Sequence, residues 1–234
     1  MMGLSNKDIP PLVVTIDGPA GAGKTTVSKQ LARELGYRYI DTGALYRGIA
    51  VAARNAGVAV DDDTALADLC RKISLDIVEK DGDLRLTLDQ VDISDQLRTP
   101  EISMLASAIS ARPPVRRFLL AIQRAIGAGK RIVVEGRDMG TVVFPDAEVK
   151  FFLEAALQVR SQRRHTELVG RQGATISLQD VEADMVERDH NDSTRKIAPL
   201  KPASDAIRID SSRLTINQVV AAMLEYILKN VVAI

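Results

Sequence analysis

Eight consecutive residues, Gly18-Pro19-Ala20-Gly21-Ala22-Gly23-Lys24-Thr25, carry the clearest chemistry in this chain. Their spacing is G-x-x-x-x-G-K-[ST], in which glycines let the backbone wrap around a polyanion and turn successive N–H groups inward. A cation at Lys24 then faces β- and γ-phosphates, and the Thr25 hydroxyl offers an oxygen to a bridging Mg²⁺. The run is therefore a candidate cradle for a nucleoside triphosphate such as ATP. A Gly-rich turn without a ligand is the competing reading, and context decides between them. LVVTID at Leu12–Asp17 is a β-branched apolar run that reads as a buried strand, and the helical spacing of Val27, Leu31, Ala32 and Leu35 follows the motif.

Two further stretches could hold the phosphate acceptor. Asp41-Thr42-Gly43-Ala44-Leu45-Tyr46-Arg47 follows a second short strand at Tyr37–Ile40 and offers a hydroxyl, a phenol and a guanidinium. Without a ligand, Thr42 would be a helix N-cap and Arg47 a solvated helix residue. Glu135-Gly136-Arg137-Asp138-Met139-Gly140-Thr141 follows the strand candidate RIVVE at Arg131–Glu135, and its glycines permit close backbone approach. Glu135 ends that strand where it can order a Mg²⁺-bound water. Arg160, Arg163, Arg164 and Arg171 form a basic cluster on and just after a helical stretch, with Arg160 and Arg164 one turn apart. Such a run is a solvated face unless it serves a transferring phosphoryl group.

The elements that must position these residues alternate. After the first strand, helix, strand and helix (Ala44–Asn55), three short β-like runs at Leu75–Val78, Leu84–Leu88 and Val91–Ile93 suggest a small antiparallel insert, with turns at Asp81-Gly82-Asp83 and Asp89-Gln90. Helical patterning returns at Pro100–Ala111 and Pro114–Ala128. Strand candidates follow at Arg131–Glu135 and Val149–Leu153, then helices at Ala155–Leu168 and Leu178–Arg188 with Gly170–Gly173 as a flexible basic link. Ala206–Asp210 and an amphipathic helix at Ile216–Leu228 complete the order. This alternation implies an α/β fold with a parallel sheet, and places ligands at the C-terminal ends of its strands.

Composition narrows the function classes. The 234 residues carry equal numbers of acidic and basic side chains, 46% hydrophobic residues and few aromatics. Neutral charge and scarce stacking partners argue against a nucleic-acid partner, and small anionic substrates fit better. No apolar run approaches a membrane span, and the first eleven residues read as a frayed lead-in rather than a secretory signal, so Asn191-Asp192-Ser193 reads as a chance glycosylation string. Cys70 alone cannot form an internal disulfide, in keeping with a reducing, cytoplasmic setting. His165 and His190 sit in polar surroundings and are expected to be exposed rather than ligands or bases.

IDGPAGAGKTT, DTGALYR, EGRDMGTVVFPDA and IAPLKPA, in this order and spacing, resemble bacterial cytidylate kinase over nearly the whole chain beyond the first dozen residues. The resemblance implies a three-layer P-loop fold with a five-stranded parallel sheet, a small antiparallel β insert in a monophosphate-binding domain, and a mobile helical lid. The parts would be a core of residues 12–40, 114–157 and 176–234, a monophosphate-binding segment 41–113 and a lid 158–175. It further implies ATP as donor bound by Gly18 through Thr26, with Thr25 on Mg²⁺. Thr42, Tyr46 and Arg47 would bind the monophosphate; Ser107, Arg116 and Asp138 would read cytosine; Arg188 and Asp192 would hold the sugar; Arg137 and Arg195 would hold phosphate. Lys24, Arg137, Arg160 and Arg164 form the implied catalytic set. The expected acceptors are CMP and dCMP, and the expected state is a monomer. Among relatives some carry Ser at the position of Thr42, and Gly or Ser at that of Thr26. DHNDST between Arg188 and Arg195, which contains Asp192, is less basic than in some relatives.

Other readings stay open on the residues alone: a kinase for UMP, AMP or shikimate, a GTP-dependent switch, or a nucleic-acid-dependent ATPase. A switch would need an N-K-x-D string downstream of the loop. The one similar string, Asn6-Lys7-Asp8, precedes it.

Overall fold

The computed structural model describes residues 9–80, 83–97, 99–172 and 175–232. The lead-in over residues 1–8, the turn residues Asp81 and Gly82, Gly173 and the side chain of Arg171 lie outside the described residues. In chain order the elements are β1 (Val13–Asp17), α1 (Lys24–Leu35), β2 (Arg38–Asp41), α2 (Thr42–Asn55), α3 (Asp63–Lys72), β3 (Leu75–Lys80), β4 (Asp83–Leu88) and β5 (Val91–Asp92). They continue with α4 (Pro100–Ile109), α5 (Pro113–Gly127), β6 (Ile132–Gly136), β7 (Val149–Glu154), α6 (Leu157–Gln172), α7 (Leu178–Thr194), β8 (Ile207–Asp210) and α8 (Ile216–Ile227). Compact packing divides the chain into two units, one from the residues up to Ile40 and from Gly127 onward, the other from Asp41 to Ile126.

The first unit holds the five-stranded sheet, in the order β2-β6-β1-β7-β8. β1 and β6 are buried at every position, as strands flanked on both sides must be, whereas β8 at the edge alternates with solvent. β1 pairs in parallel with β6 from Val13↔Ile132 to Asp17↔Gly136, and with β7 from Val14↔Val149 to Asp17↔Phe152. The register brings Asp17 and Gly136 level, so the loops after β1 and β6 leave the sheet side by side. Val14, Ile16, Leu31, Phe151 and Met223 join these strands to α1 and α8 in one core, and α8 begins with a capping box between Thr215 and Gln218. A smaller apolar cluster, Leu168, Val181 and Met185 with Ala20 and Leu157 against it, ties α6 to α7.

The second unit is built on α2, whose buried face (Leu45, Ile49, Ala53) packs with Leu66, Leu75, Leu86, Ile102 and Leu119. The antiparallel insert is present as β3-β4-β5, with Leu75↔Leu88 through Lys80↔Asp83 paired and then Leu88↔Val91. Asp89 and Gln90 both adopt positive φ, as a two-residue hairpin turn requires.

Three sequence expectations change. The expected link from Gly170 begins later, because α6 runs on through Gly170 to Gln172. The helix expected to stop at Arg188 continues to Thr194 and includes DHNDST. His165 is half-buried rather than exposed, with its ring Nε2 hydrogen-bonded to the Ile176 carbonyl, while His190 is exposed. One helix, α3, lies where no element was expected.

Candidate functional site

The loop between β1 and α1 has the geometry its glycines require. Gly18, Gly21 and Gly23 have positive φ, and a Cβ on Gly18 would lie 2.0 Å from the Leu153 carbonyl oxygen, a clash no side chain can relieve. Gly23 is the N-cap of α1 and no side chain caps that helix, so no capping side chain competes for its first N–H groups. Lys24 is buried and its Nζ donates to the carbonyls of Gly18 (2.8 Å) and Pro19 (2.7 Å). Burial, with Arg137 next in weight, lowers its pKa from 10.5 to about 7, and Glu135 pulls the other way. A phosphate polyanion would reverse this cost by supplying the charge the pocket lacks. Thr25 and Thr26 follow in the first turn of α1, Thr25 half-buried and Thr26 exposed.

The loop after β6 joins the same unit. Glu135 is buried and accepts the Tyr39 hydroxyl from β2. Arg137 donates from Nε to Asp192 (2.7 Å) in the part of α7 that sequence patterning left unassigned. Burial alone would raise the pKa of Asp192, but Arg137 and Arg188 outweigh it and hold this carboxyl below the usual carboxylate range. Asp138 is buried and receives Arg195 Nη2 at 3.4 Å. Arg195 also donates from Nε to the Ala198 carbonyl (2.7 Å), and Ala198 holds φ +49°, an uncommon conformation for alanine. The IAPLKPA segment thus turns its backbone to hold a guanidinium. Arg137, Asp138, Arg188, Asp192 and Arg195 are gathered in one group linked by these contacts.

The basic cluster separates into distinct roles. Arg160 is buried, donating to Asp189 on α7 (2.6 Å) and to the Ala20 carbonyl of the phosphate loop (3.2 Å). Arg163 bonds the Ser211 carbonyl (2.8 Å), the Ser211 hydroxyl (3.1 Å) and the Ala22 carbonyl (3.4 Å). Arg164 pairs with Glu167 one turn on at 3.0 Å. Arg160 and Arg164 share a helix face by spacing, yet the contact to the loop is made by Arg160 and Arg163. Sequence reasoning passed over Arg163 as a distinct residue, and also Asp17, Asp189 and Ser211. Asp17 alone left a signal, a carboxylate ending an apolar strand against the first glycine.

In the second unit Asp41, not Thr42, is the N-cap of α2, accepting from the Ala44 N–H (3.1 Å). Thr42 is buried as the first helical residue, and Arg47 is held by Asp41 at 2.7 Å rather than solvated. The Arg116 guanidinium stands 5.9 Å from the centre of the Tyr46 ring. Arg116 also donates to the Ser110 carbonyl (3.3 Å), and the Ser110 hydroxyl donates to the Ser107 carbonyl (2.7 Å), so this unit links Ser107, Arg116 and Tyr46. An open groove of about 730 Å³ lies over Gln179, Glu182, Val186 and His190 on α7, and no phosphate-loop residue lines it.

Among known proteins, the family described as cytidylate kinase matches residues 14–229. A cytidylate kinase of Geobacter sp. (strain M21) is 49% identical over 212 residues, 91% of this chain and 91% of that protein. The cytidylate kinase of Pasteurella multocida (strain Pm70) is 41% identical over 224 residues, 96% of each chain. Among solved structures, an uncharacterized protein from Eubacterium ventriosum superposes with a TM-score of 0.50 over 94% of this chain and all of that one, at 13% identity, a likeness of fold alone.

Proposed function

The chain belongs to the cytidylate kinase family, and from that premise we propose that it transfers the γ-phosphoryl group of ATP to CMP and dCMP, giving ADP and the nucleoside diphosphate. The observation that carries the reading is the uncapped, glycine-formed loop with Lys24 buried at its base, a site short of negative charge. The acceptor phosphate brings its own nucleophilic oxygen. Catalysis then needs alignment and charge stabilisation rather than a strong general base.

Roles follow from chemistry. Gly18 through Thr26 hold the donor, and Lys24 follows charge onto the β,γ-bridge. Arg160 and Arg164 from the lid, with Arg137, stabilise the transferring group. Thr42, Tyr46, Arg47 and Arg195 bind the acceptor phosphate, and Arg188 with Asp192 holds the sugar. Ser107, Arg116 and Asp138 read the base. The proposed parts are a core of residues 12–40, 127–157 and 176–234, a monophosphate-binding segment from residue 41 and a lid 158–175; residues 114–126, which the sequence grouped with the core, pack with the 41–113 segment.

Mg²⁺ fits the residues present. Among the described residues no group of three or more His, Cys, Asp or Glu could hold a metal, and the half-buried Thr25 hydroxyl is a hard oxygen donor beside the loop. Thr25 would hold the ion together with the donor's phosphates, and the ion would offset charge on them. No described helix is long and apolar enough to cross a membrane. We place the reaction in the cytoplasm, carried out by a monomer with small-molecule partners and without nucleic acid or membrane. A coupled assay for ADP across CMP, dCMP, UMP, AMP and shikimate tests the proposal: CMP and dCMP should lead by two orders of magnitude or more, and equal turnover with UMP or AMP would refute it.

A further inference from the structure

Asp17 has no part in the roles above, yet it is the most unusual carboxylate in the first unit. It ends β1 directly before the phosphate loop and is only 4% exposed. Its Oδ1 accepts the Met139 N–H at 2.9 Å and its Oδ2 the Gly140 N–H at 2.8 Å. One oxygen thus serves each of the two amides that follow Asp138. The turn they begin is closed above by the Val142 and Val143 N–H groups on the Asp138 carbonyl, at 2.9 and 3.2 Å. Below, it is pressed onto the sheet: a Cβ on Gly140 would come within 3.0 Å of the Thr15 hydroxyl. The floor of the turn is therefore a pair of hydrogen bonds that needs two acceptors on one side chain.

We propose that Asp17 is a positioning residue for acceptor recognition: by clamping the Met139 and Gly140 amides it fixes the peptide from which the Asp138 carboxylate projects. The inference rests on the reading that Asp138 recognises the base. An ionised carboxylate makes both bonds at full strength. An asparagine would turn an N–H₂ toward one of the amides, donor against donor, and a protonated acid would leave one amide only the weak acceptor of its hydroxyl oxygen. The charged groups around Asp17 oppose each other. Lys24 from α1 favours the carboxylate, and Asp138 in the clamped turn disfavours it. On the β7 side its register partner is the uncharged Phe152. Burial, the largest influence, raises Asp17 from 3.8 to about 6 against the pull of the two amides, which puts its protonation within reach of a mildly acid assay.

The test uses the full chain and three proteins, wild type, Asp17→Asn and Asp138→Ala. With saturating ATP at pH 7.5, Asp17→Asn should lower the ratio of kcat/KM for CMP to that for UMP by about tenfold, chiefly through KM for CMP, and should speed hydrogen exchange at the Met139 and Gly140 amides. Both acceptors carry the same phosphate, so its own titration cancels in the ratio. If Asp138→Ala collapses the ratio while Asp17→Asn leaves ratio and exchange unchanged, the clamp is refuted and base reading by Asp138 stands. If Asp138→Ala leaves the ratio intact, base reading fails and the clamp with it. Should Asp17→Asn not fold, wild type answers alone. Between pH 7.5 and 5.5 the ratio and the protection of both amides should fall together, and protection constant over that range overturns the proposal.

Discussion

Replacing Lys24 by methionine should make the ligand-free protein more stable while ending its activity. The buried ammonium has a pKa of about 7 against 10.5 for a free lysine, and that difference corresponds to about 5 kcal/mol by which the fold disfavours the charged form. Against this stand the two bonds to the Gly18 and Pro19 carbonyls, together worth about 3 kcal/mol. Methionine fills a similar volume without charge, so a net gain of about 2 kcal/mol is expected near neutral pH. For a chain of this size that is a rise in Tm of about 4–8 °C.

The sign with pH follows from linkage. A lysine whose folded pKa lies below its unfolded value binds fewer protons folded than unfolded between about pH 7 and 10.5, so wild-type stability from this group rises with pH across that window. The advantage of Lys24→Met is therefore full below about pH 7, falls by about 1.4 kcal/mol per pH unit above it, and reverses near pH 8.5, where wild type becomes the more stable protein. ATP should invert the ranking. At 100 times its Kd it adds about 2.7 kcal/mol to wild type and far less to the variant, which lacks the cation for the β- and γ-phosphates. Differential scanning calorimetry at pH 6.5, 8 and 9.5, with and without Mg-ATP, reads all of this, and a coupled assay should show turnover reduced by at least about a hundredfold. A ligand-free variant that melts below wild type at pH 6.5, or one that retains near-normal turnover when folded, refutes the reasoning.

Asp138→Ala should cut kcat/KM for CMP far more than for UMP, because cytosine loses the acceptor for its amine, a loss of about 1–3 kcal/mol or up to two orders of magnitude in preference; equal factors for both acceptors in steady-state assays would show that Asp138 does not read the base. Arg164→Ala should lower kcat about tenfold with little change in acceptor KM, as expected of a lid cation that acts when charge develops. An unchanged kcat would return Arg164, with its exposed partner Glu167, to a surface ion pair. Gly18→Ala should destabilise by about 3 kcal/mol or more and abolish ATP binding by calorimetric titration, since its Cβ would meet the Leu153 backbone oxygen at 2.0 Å; a wild-type Tm would contradict the loop geometry.

Elements whose cause is local could be read from the sequence, and those whose cause is a distant partner could not. β1, β6 and β7 are buried along almost their whole length, so LVVTID, RIVVE and VKFFL announced them to within a residue or so. The phosphate loop was legible for the same reason, since glycine conformation and a following helix are written in eight adjacent positions. α3 was passed over because DTALADLCRK buries only Leu66 and Cys70, although Asp62 caps its Thr64 and Ala65 amides and would have marked its start. The last turns of α7 have no apolar pattern, and what holds Asp192 there is Arg137, 55 residues away.

That division explains how a chain with no net charge can be built for anions. Arg137 is held by Asp192, Arg160 by Asp189, Arg195 by Asp138 and Arg47 by Asp41. Each guanidinium that the proposed mechanism assigns to a phosphate or a transferring phosphoryl group already rests on a carboxylate. Binding then exchanges one anion for another around a cation whose desolvation was met on folding, and a dianionic phosphate has the advantage in charge over a single carboxylate. Composition showed only the cancelled sum, because the arginines and their partners come from separate parts of the fold in all but Arg164–Glu167, which pairs within α6.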